Sequence, residues 1–305
     1  MRHLQTFRLI EAVAKAGSIR KAAEDANITA SALNRRIQRF EEEFGFPIFE
    51  RLSTGMRLNP AGELVLQHYR GQHSDLQRVQ SQVADLAGVR RGHVTIACSQ
   101  AVLPYFLPWQ IAHYRQDHPG VTFRVHVRDR EQAETDLASF SSDLALVFEP
   151  VHLVDFQIIH QVPQPVYAIF AQDHPLARRE QVRLSECLAY DHVIPTPDYG
   201  VRNLIDMALK QRSSRLSPVL ETDSFELIRH YVLNERAVGF HIAVGLEADP
   251  RLAFRRISER DLPPGNLILG QKRGRSLPVA TARFAAQVAD ALEALEQAGG
   301  APAAP

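Results

Sequence analysis

The chain has 305 residues, 45% of them hydrophobic, and 35 Lys and Arg balance 35 Asp and Glu, so the formal net charge is zero. That length predicts about two domains, and that apolar content excludes a disordered chain. No run of about 18 apolar residues occurs and the start lacks an apolar signal core, so the expectation is a cytoplasmic protein with no membrane partner.

Residues 1 to 91 hold 14 Lys and Arg against 10 Asp and Glu, leaving 21 against 25 for the rest. This modest split favours nucleic acid as the partner of the N-terminal end. Leu4, Phe7, Ile10 and Val13 recur at intervals of three, which predicts a first helix with one buried stripe, ending at Gly17. Ser18 then caps a second helix whose inner face, Ile19, Ala22, Ala23 and Ala26, is small enough for close approach. Thr29 caps a third, with Leu33, Ile37, Phe40 and Phe44 as its buried stripe. Its opposite face carries Ala30, Ser31, Asn34, Arg35, Arg36 and Arg39. Asn and Arg side chains can pair with adenine and guanine edges, and hydroxyls reach bases or phosphates, so this helix is expected to enter a groove of double-stranded DNA. FGFPIFERLSTGMRLNPAG follows as a short ribbon turning near Thr54 and Gly55, placing Arg51 and Arg57 on flanking phosphates.

Residues 4 to 62 resemble the winged helix-turn-helix of the LysR-type transcriptional regulators. The resemblance rests on Phe7, Gly17, Ser18, Ala22, Ala23, Ile37, Glu41, Gly45, Phe49, Arg51, Leu58, Ala61 and Gly62. The chain departs from the usual pattern at Ala30, where Gln is common, at Ser31, where Pro is common, at Asn34, where Ser is common, and at Phe40, where Leu is typical. The first three departures sit on the groove-facing start of the third helix, so base preference is not carried over.

Asn59 and Pro60 read as the cap and first residue of a long helix with no strong breaker before Gly88. Val65, Tyr69, Leu76, Val79, Val83 and Leu86 alternate by threes and fours, with Gln72 at the polar position of the seam, which predicts a homodimer. Packing of the stripe on its own domain is the alternative. The family resemblance implies the same linker and commonly a tetramer, and a transcriptional role implies RNA polymerase as a further partner.

From Gly92 the rhythm changes. VTIACS, TFRVHV, DLALVF, PVYAIFA, DHVIPT, AVGFHI and LILGQ read as short apolar strands, with HYRQ, ASFS and NLIDMALK on helices or their edges, an α/β pattern with a mainly parallel sheet. Leu107 with Pro108, His118 with Pro119, Asp143, His174 to Ala177 and Gly239 resemble landmarks of the LysR-type effector domain. The resemblance implies a two-lobed, periplasmic-binding-protein-like fold. The expected division is 1–59 for the winged helix-turn-helix, 60–88 for the linker helix, 92–162 with 266–296 for the first lobe, 163–265 for the second, and a disordered tail at 297–305.

In open α/β sheets ligands lie beyond the carboxyl ends of strands, often at helix N-termini that favour anions. By that rule the effector contacts are Ser99 and Gln100 after the first strand, Arg128 and Arg130 after the second, Thr196 and Arg202 around DHVIPT, and Thr222 and Ser224 further on. Such a set suits a small carboxylate or similar anion. An effector that prefers closed lobes would shift the population of states and bias the spacing of two DNA-binding heads.

No HExxH, GxSxG, GxxxxGK or GxGxxG pattern occurs and no histidines have metal spacing, so no catalytic residue, metal or cofactor is assigned. Cys98 and Cys187, too far apart in sequence for metal spacing, are expected to be packing residues, with a redox switch as the alternative. A ligand-independent regulator with a structural C-terminal half and a solute-binding protein are the rival readings of the whole.

Overall fold

The structure, a computed structural model, describes residues 2–53, 55–86, 91–211 and 216–297, without the side chains of residues 2–4 and 85. Thr54, Gly88, the side chain of Leu4 and the closing segment 298–305 lie outside the described residues. The chain folds as two units, Met1–Gln77 and Arg78–Pro305.

In the first unit, α1 (Arg2–Ala16), α2 (Ile19–Asp25) and α3 (Ala30–Phe44) precede a two-stranded antiparallel wing, β1 (Phe49–Leu52) and β2 (Gly55–Leu58), and α4 (Pro60–Leu86) begins directly after it. The core holds Ile10, Val13, Ala22, Ala23, Leu33 and Ile37, the residues that the helical periodicity selects. Phe44 does not join it: it is 46% exposed at the last turn of α3, beyond the reach of α1 and α2. The wing is seated by backbone, since the Met56 amide donates to the Gly17 carbonyl at 2.8 Å. A β-carbon on Gly55 would lie 2.3 Å from that same oxygen, so only glycine permits this approach. Glu41 reaches across to accept from the amides of Ile48 at 2.7 Å and Phe49 at 3.2 Å, fixing the entry to the wing. Asn59 caps α4 by accepting from the Gly62 amide at 2.8 Å.

The first turns of α4 belong to this core. Val65 and Tyr69 are 8% and 2% exposed, and the Tyr69 ring stacks on Phe7 at 5.0 Å. Arg70 bridges to Glu11 of α1 at 2.9 Å. The heptad stripe therefore divides: Val65 and Tyr69 are core residues rather than seam positions, while Leu76, Val79, Val83 and Leu86 remain 40–89% exposed.

The second unit has two mixed sheets, not a mainly parallel one. The first has strand order β4-β3-β5-β13-β6, from β3 (Arg91–Cys98), β4 (Gly120–Val127), β5 (Leu144–Phe148), β6 (Phe156–Gln164) and β13 (Gly265–Lys272), with α5 (Phe106–Asp117), α6 (Arg130–Ala138) and α10 (Val279–Gln297) packed on it. The second has order β11-β7-β12-β8, from β7 (Val166–Ala171), β8 (Gln181–Val182), β11 (Gly239–Ile242) and β12 (Leu252–Ile257). Beside it lie α7 (Leu184–Cys187), a parallel pair β9 (Val193–Pro195) and β10 (Leu220–Thr222), α8 (Gly200–Lys210) and α9 (Phe225–Asn234). β3, β4 and β5 are parallel, but the chain leaves for the second sheet after β6 and returns through β13, which runs antiparallel to both β5 and β6. That return is what mixes the first sheet.

β6 and β12 are absent from the apolar runs for identifiable reasons. β6 contains Pro163 and lies at a sheet edge, where the missing amide costs little. β12 carries Arg255 and Arg256, and the Arg255 guanidinium turns back to the carbonyls of Ala177 and Arg179, so its charge does not enter the core. Asp143 anchors the first sheet, accepting from the Thr95 amide at 2.8 Å and pairing with Arg275 at 2.5 Å.

Candidate DNA-reading face and effector cleft

The DNA-reading candidates are arranged by α3. Thr29 caps it, its hydroxyl accepting from the Ala32 amide at 3.2 Å and lying 3.2 Å from the Ser31 hydroxyl. Ser18 caps α2 in the same way, accepting from Lys21 at 3.5 Å. At 100° per residue, Ser31 and Arg35 lie on the face opposite Leu33, Ile37 and Phe40 with half-buried Asn34 at its margin, whereas Ala30 falls on the Ile37 side and Arg36 on the far flank. Gln38, which sequence reasoning passed over, completes the exposed face one turn after Asn34; its i+4 spacing from Asn34 and i+7 spacing from Ser31 were the available signal. Arg39 pairs with Glu43 and Arg57 with Glu50, each at 2.9 Å and each largely exposed. Such pairs hold little energy and open readily to a competing phosphate. Among the described residues neither Arg35 nor Arg36 has a side-chain partner. Arg51 donates from Nη2 to Oδ1 of Asn34 at 3.3 Å, joining wing to helix.

In the second unit, Gln100 links the two sheets. Its Nε2 donates to the Tyr199 hydroxyl at 3.4 Å, and its Oε1 accepts from the Phe225 amide at the start of α9 at 3.2 Å. Arg130 makes a second link, donating to the carbonyl of Glu149 at 3.0 Å and to that of Asp198 at 3.2 Å. Tyr199 was not foreseen; it lies at the start of α8, immediately after the strand expected at DHVIPT. Its hydroxyl is held above the ordinary phenol range by burial, then by the nearby carboxylate of Asp223, while the Gln100 contact works in the opposite sense.

The other effector candidates divide. Thr196 and Thr222 are joined backbone to backbone at 3.1 Å, and the Thr222 hydroxyl accepts from the Ser224 amide at 3.1 Å. Ser224 caps α9 through the Leu227 amide at 3.2 Å, and buried Ser99 caps a short 3-10 turn through the Ala101 amide at 3.3 Å. Arg202 is no free cation: it binds both oxygens of Asp206 at 2.9–3.0 Å, the Pro195 carbonyl at 3.2 Å and Glu221. Arg128 is likewise paired, with Asp136 at 2.8 Å. Both were expected to meet an anion, and neighbouring carboxylates already neutralise them. Among the described residues the Arg130 side chain meets only carbonyls.

The geometry is thus a capped helix with a polar face beside a wing, and a separate two-sheet unit bridged by Gln100 and Arg130. Residues 87–293 match the family described as LysR substrate binding domain, and residues 4–63 match the bacterial regulatory helix-turn-helix protein, lysR family. The chain belongs to the LysR family of transcriptional regulators. Among curated relatives of this LysR-type regulator, the RuBisCO operon transcriptional regulator of Allochromatium vinosum is 28% identical over 284 residues, covering 92% of this chain and 93% of that one. The transcriptional activator CmpR of Synechocystis is 25% identical over 229 residues, 75% of each chain. Full-length OxyR of Pseudomonas aeruginosa, as a point variant, superposes with a TM-score of 0.68 at 18% identity over 95% of this chain and 94% of its own. CbnR, solved in complex with its target DNA, superposes with a TM-score of 0.63 at 16% identity over 93% and 98%. These two establish a shared fold. The regulator therefore combines a DNA-binding helix-turn-helix with a small-molecule-binding domain, as the family does. Among the described residues no helix is long and apolar enough to cross a membrane.

Proposed function

We propose that this LysR-type regulator reads its operator with the exposed face of α3, positions itself through the wing and the helix caps, and takes its effector between the two sheets of the second unit. Ser31, Asn34, Arg35 and Gln38 meet base edges, and Ser18, Thr29, Arg39 and Arg57 supply backbone contacts. The observation that carries this reading is the polar, cationic face of α3, whose Arg35 is exposed and unpartnered among the described residues. Replacing Arg35 with Ala is expected to cost roughly 1–3 kcal/mol on the specific site and far less on unrelated DNA. Equal losses on both, measured by titration at one salt concentration, would remove the base-reading role.

The effector is a small molecule, and a carboxylate is favoured because Arg130, which meets only the carbonyls of Glu149 and Asp198, has no carboxylate partner among the described residues. The expected domain division is 1–59, 60–88, and 92–296, with the second lobe at 163–265. Two copies pair through Leu76, Val79, Val83 and Leu86 of α4, and pairs of dimers and contact with RNA polymerase extend the same reading. A cytoplasmic site of action follows from the DNA target.

A further inference from the structure

The bond between Arg51 and Asn34 gives the wing arginine a role other than phosphate contact. Asn34 lies in the second turn of α3 and Arg51 is the third residue of β1, 17 positions later, yet Nη2 of one donates to Oδ1 of the other at 3.3 Å. Arg20, Arg39 and Arg57 of this unit face the carboxylates of Glu24, Glu43 and Glu50, which offset their charge. Arg51 faces a neutral amide and keeps its full charge. An asparagine amide can turn over by 180°, presenting either oxygen or NH2 outward; a guanidinium on Oδ1 selects one orientation, with Nδ2 directed away from it.

We propose that Asn34 and Arg51 form one composite base reader, made only of donors, that prefers guanine. This rests on α3 being the helix that enters the major groove. A free asparagine pairs with adenine by accepting from N6 and donating to N7. Here the accepting oxygen already holds a cationic donor, and an adenine N6 amino group brought to it would meet the N–H groups of Arg51. Guanine offers two acceptors, O6 and N7, to the free Nδ2 and guanidinium donors; cytosine offers its N4 donor and is rejected most strongly. Arg51 is thus a positioning residue for Asn34 as well as a donor of its own.

The test begins with in vitro selection of bound sites from randomised duplexes by the full-length protein. Each base is then varied at every position of the selected site, and affinities are compared for wild type, Asn34→Ala, Arg51→Ala, the double variant and Asn34→Asp. The expected result is a guanine whose preference falls about tenfold in either single variant and no further in the double. Asn34→Asp keeps the Arg51 contact but replaces donors by acceptors, and is expected to shift preference at that position toward cytosine, a change that mere loss of structure would not produce. Three results would overturn the pair: adenine selected where Asn34 acts, Arg51→Ala weakening every sequence equally, or additive losses in the double variant. Failure of wild type to enrich any sequence would instead overturn the DNA-reading assignment of α3, and the pair with it.

Discussion

Buried ionisable side chains behave unlike their exposed counterparts, and three residues in the effector unit make this measurable. Burial pushes the thiols of both Cys98 and Cys187 up to about 12, so almost no thiolate exists at neutral pH. Native protein is expected to leave both unlabelled by iodoacetamide over an hour at pH 7.5 and to label fully in denaturant; rapid native labelling would revive the redox alternative. His241 is deeply buried, with its Nδ1 2.9 Å from the Ile242 carbonyl, and burial holds its pKa down at about 4. A histidine lowered in the folded state binds its proton more readily when unfolded, so its stabilisation is complete above about pH 6.5 and drains away as pH falls toward 4. The loss amounts to about 3 kcal/mol across that window. Denaturation followed through the chain's single tryptophan, Trp109 of α5, should show this slope, and His241→Gln should flatten it. An unchanged slope in the variant would assign the pH dependence to other groups.

At the scale of elements, α4 shows how one periodic stripe serves two purposes. Its spacing is continuous from Val65 to Leu86, and nothing in the sequence marks where the partner changes. The change is decided by Phe7 and Glu11 of α1, which meet Tyr69 and Arg70 in the first turns of the helix. Val65→Ala should therefore lower the stability of the DNA-binding unit by about 1.5 kcal/mol while leaving self-association intact. Val79→Asp with Val83→Asp should do the reverse, shifting sedimentation toward a smaller species with little change in melting. If the second variant still sediments as wild type, α4 is not the seam. Strands show a similar division. Runs such as DLALVF were legible because β5 is buried along its whole length. β6 and β12 were not, because an edge proline in one and two half-buried arginines in the other disguise them locally.

At the scale of the whole molecule, Gln100 and Arg130 are polar links between the two sheets of the effector unit. Removing the first by Gln100→Ala leaves the Phe225 amide without its acceptor. Hydrogen exchange at the start of α9 is expected to rise at least tenfold, an opening free-energy change of roughly 1.4 kcal/mol. Protection unchanged from wild type would mean that the sheets are held together by their apolar contacts alone. If the proposed effector binds between the sheets, the variant should also show a weaker response to ligand.

Sequence by itself determined the helices of the DNA-binding unit, their caps at Ser18 and Thr29, the polar face of α3 and the α/β character of the rest. These depend on local periodicity and on side chains that bond within three residues, so neighbours along the chain suffice to specify them. Only the tertiary structure decided that Val65 and Tyr69 are core, that Arg202 and Arg128 are already neutralised, that Gln100 spans two sheets, and that Arg51 holds Asn34. Apart from the Arg202–Asp206 pair within α8, these depend on a partner from a separate element, 17 residues away for Asn34 and Arg51 and 125 for Gln100 and Phe225. Periodicity and capping do not record such distances, because what fixes them is the packing of elements against one another.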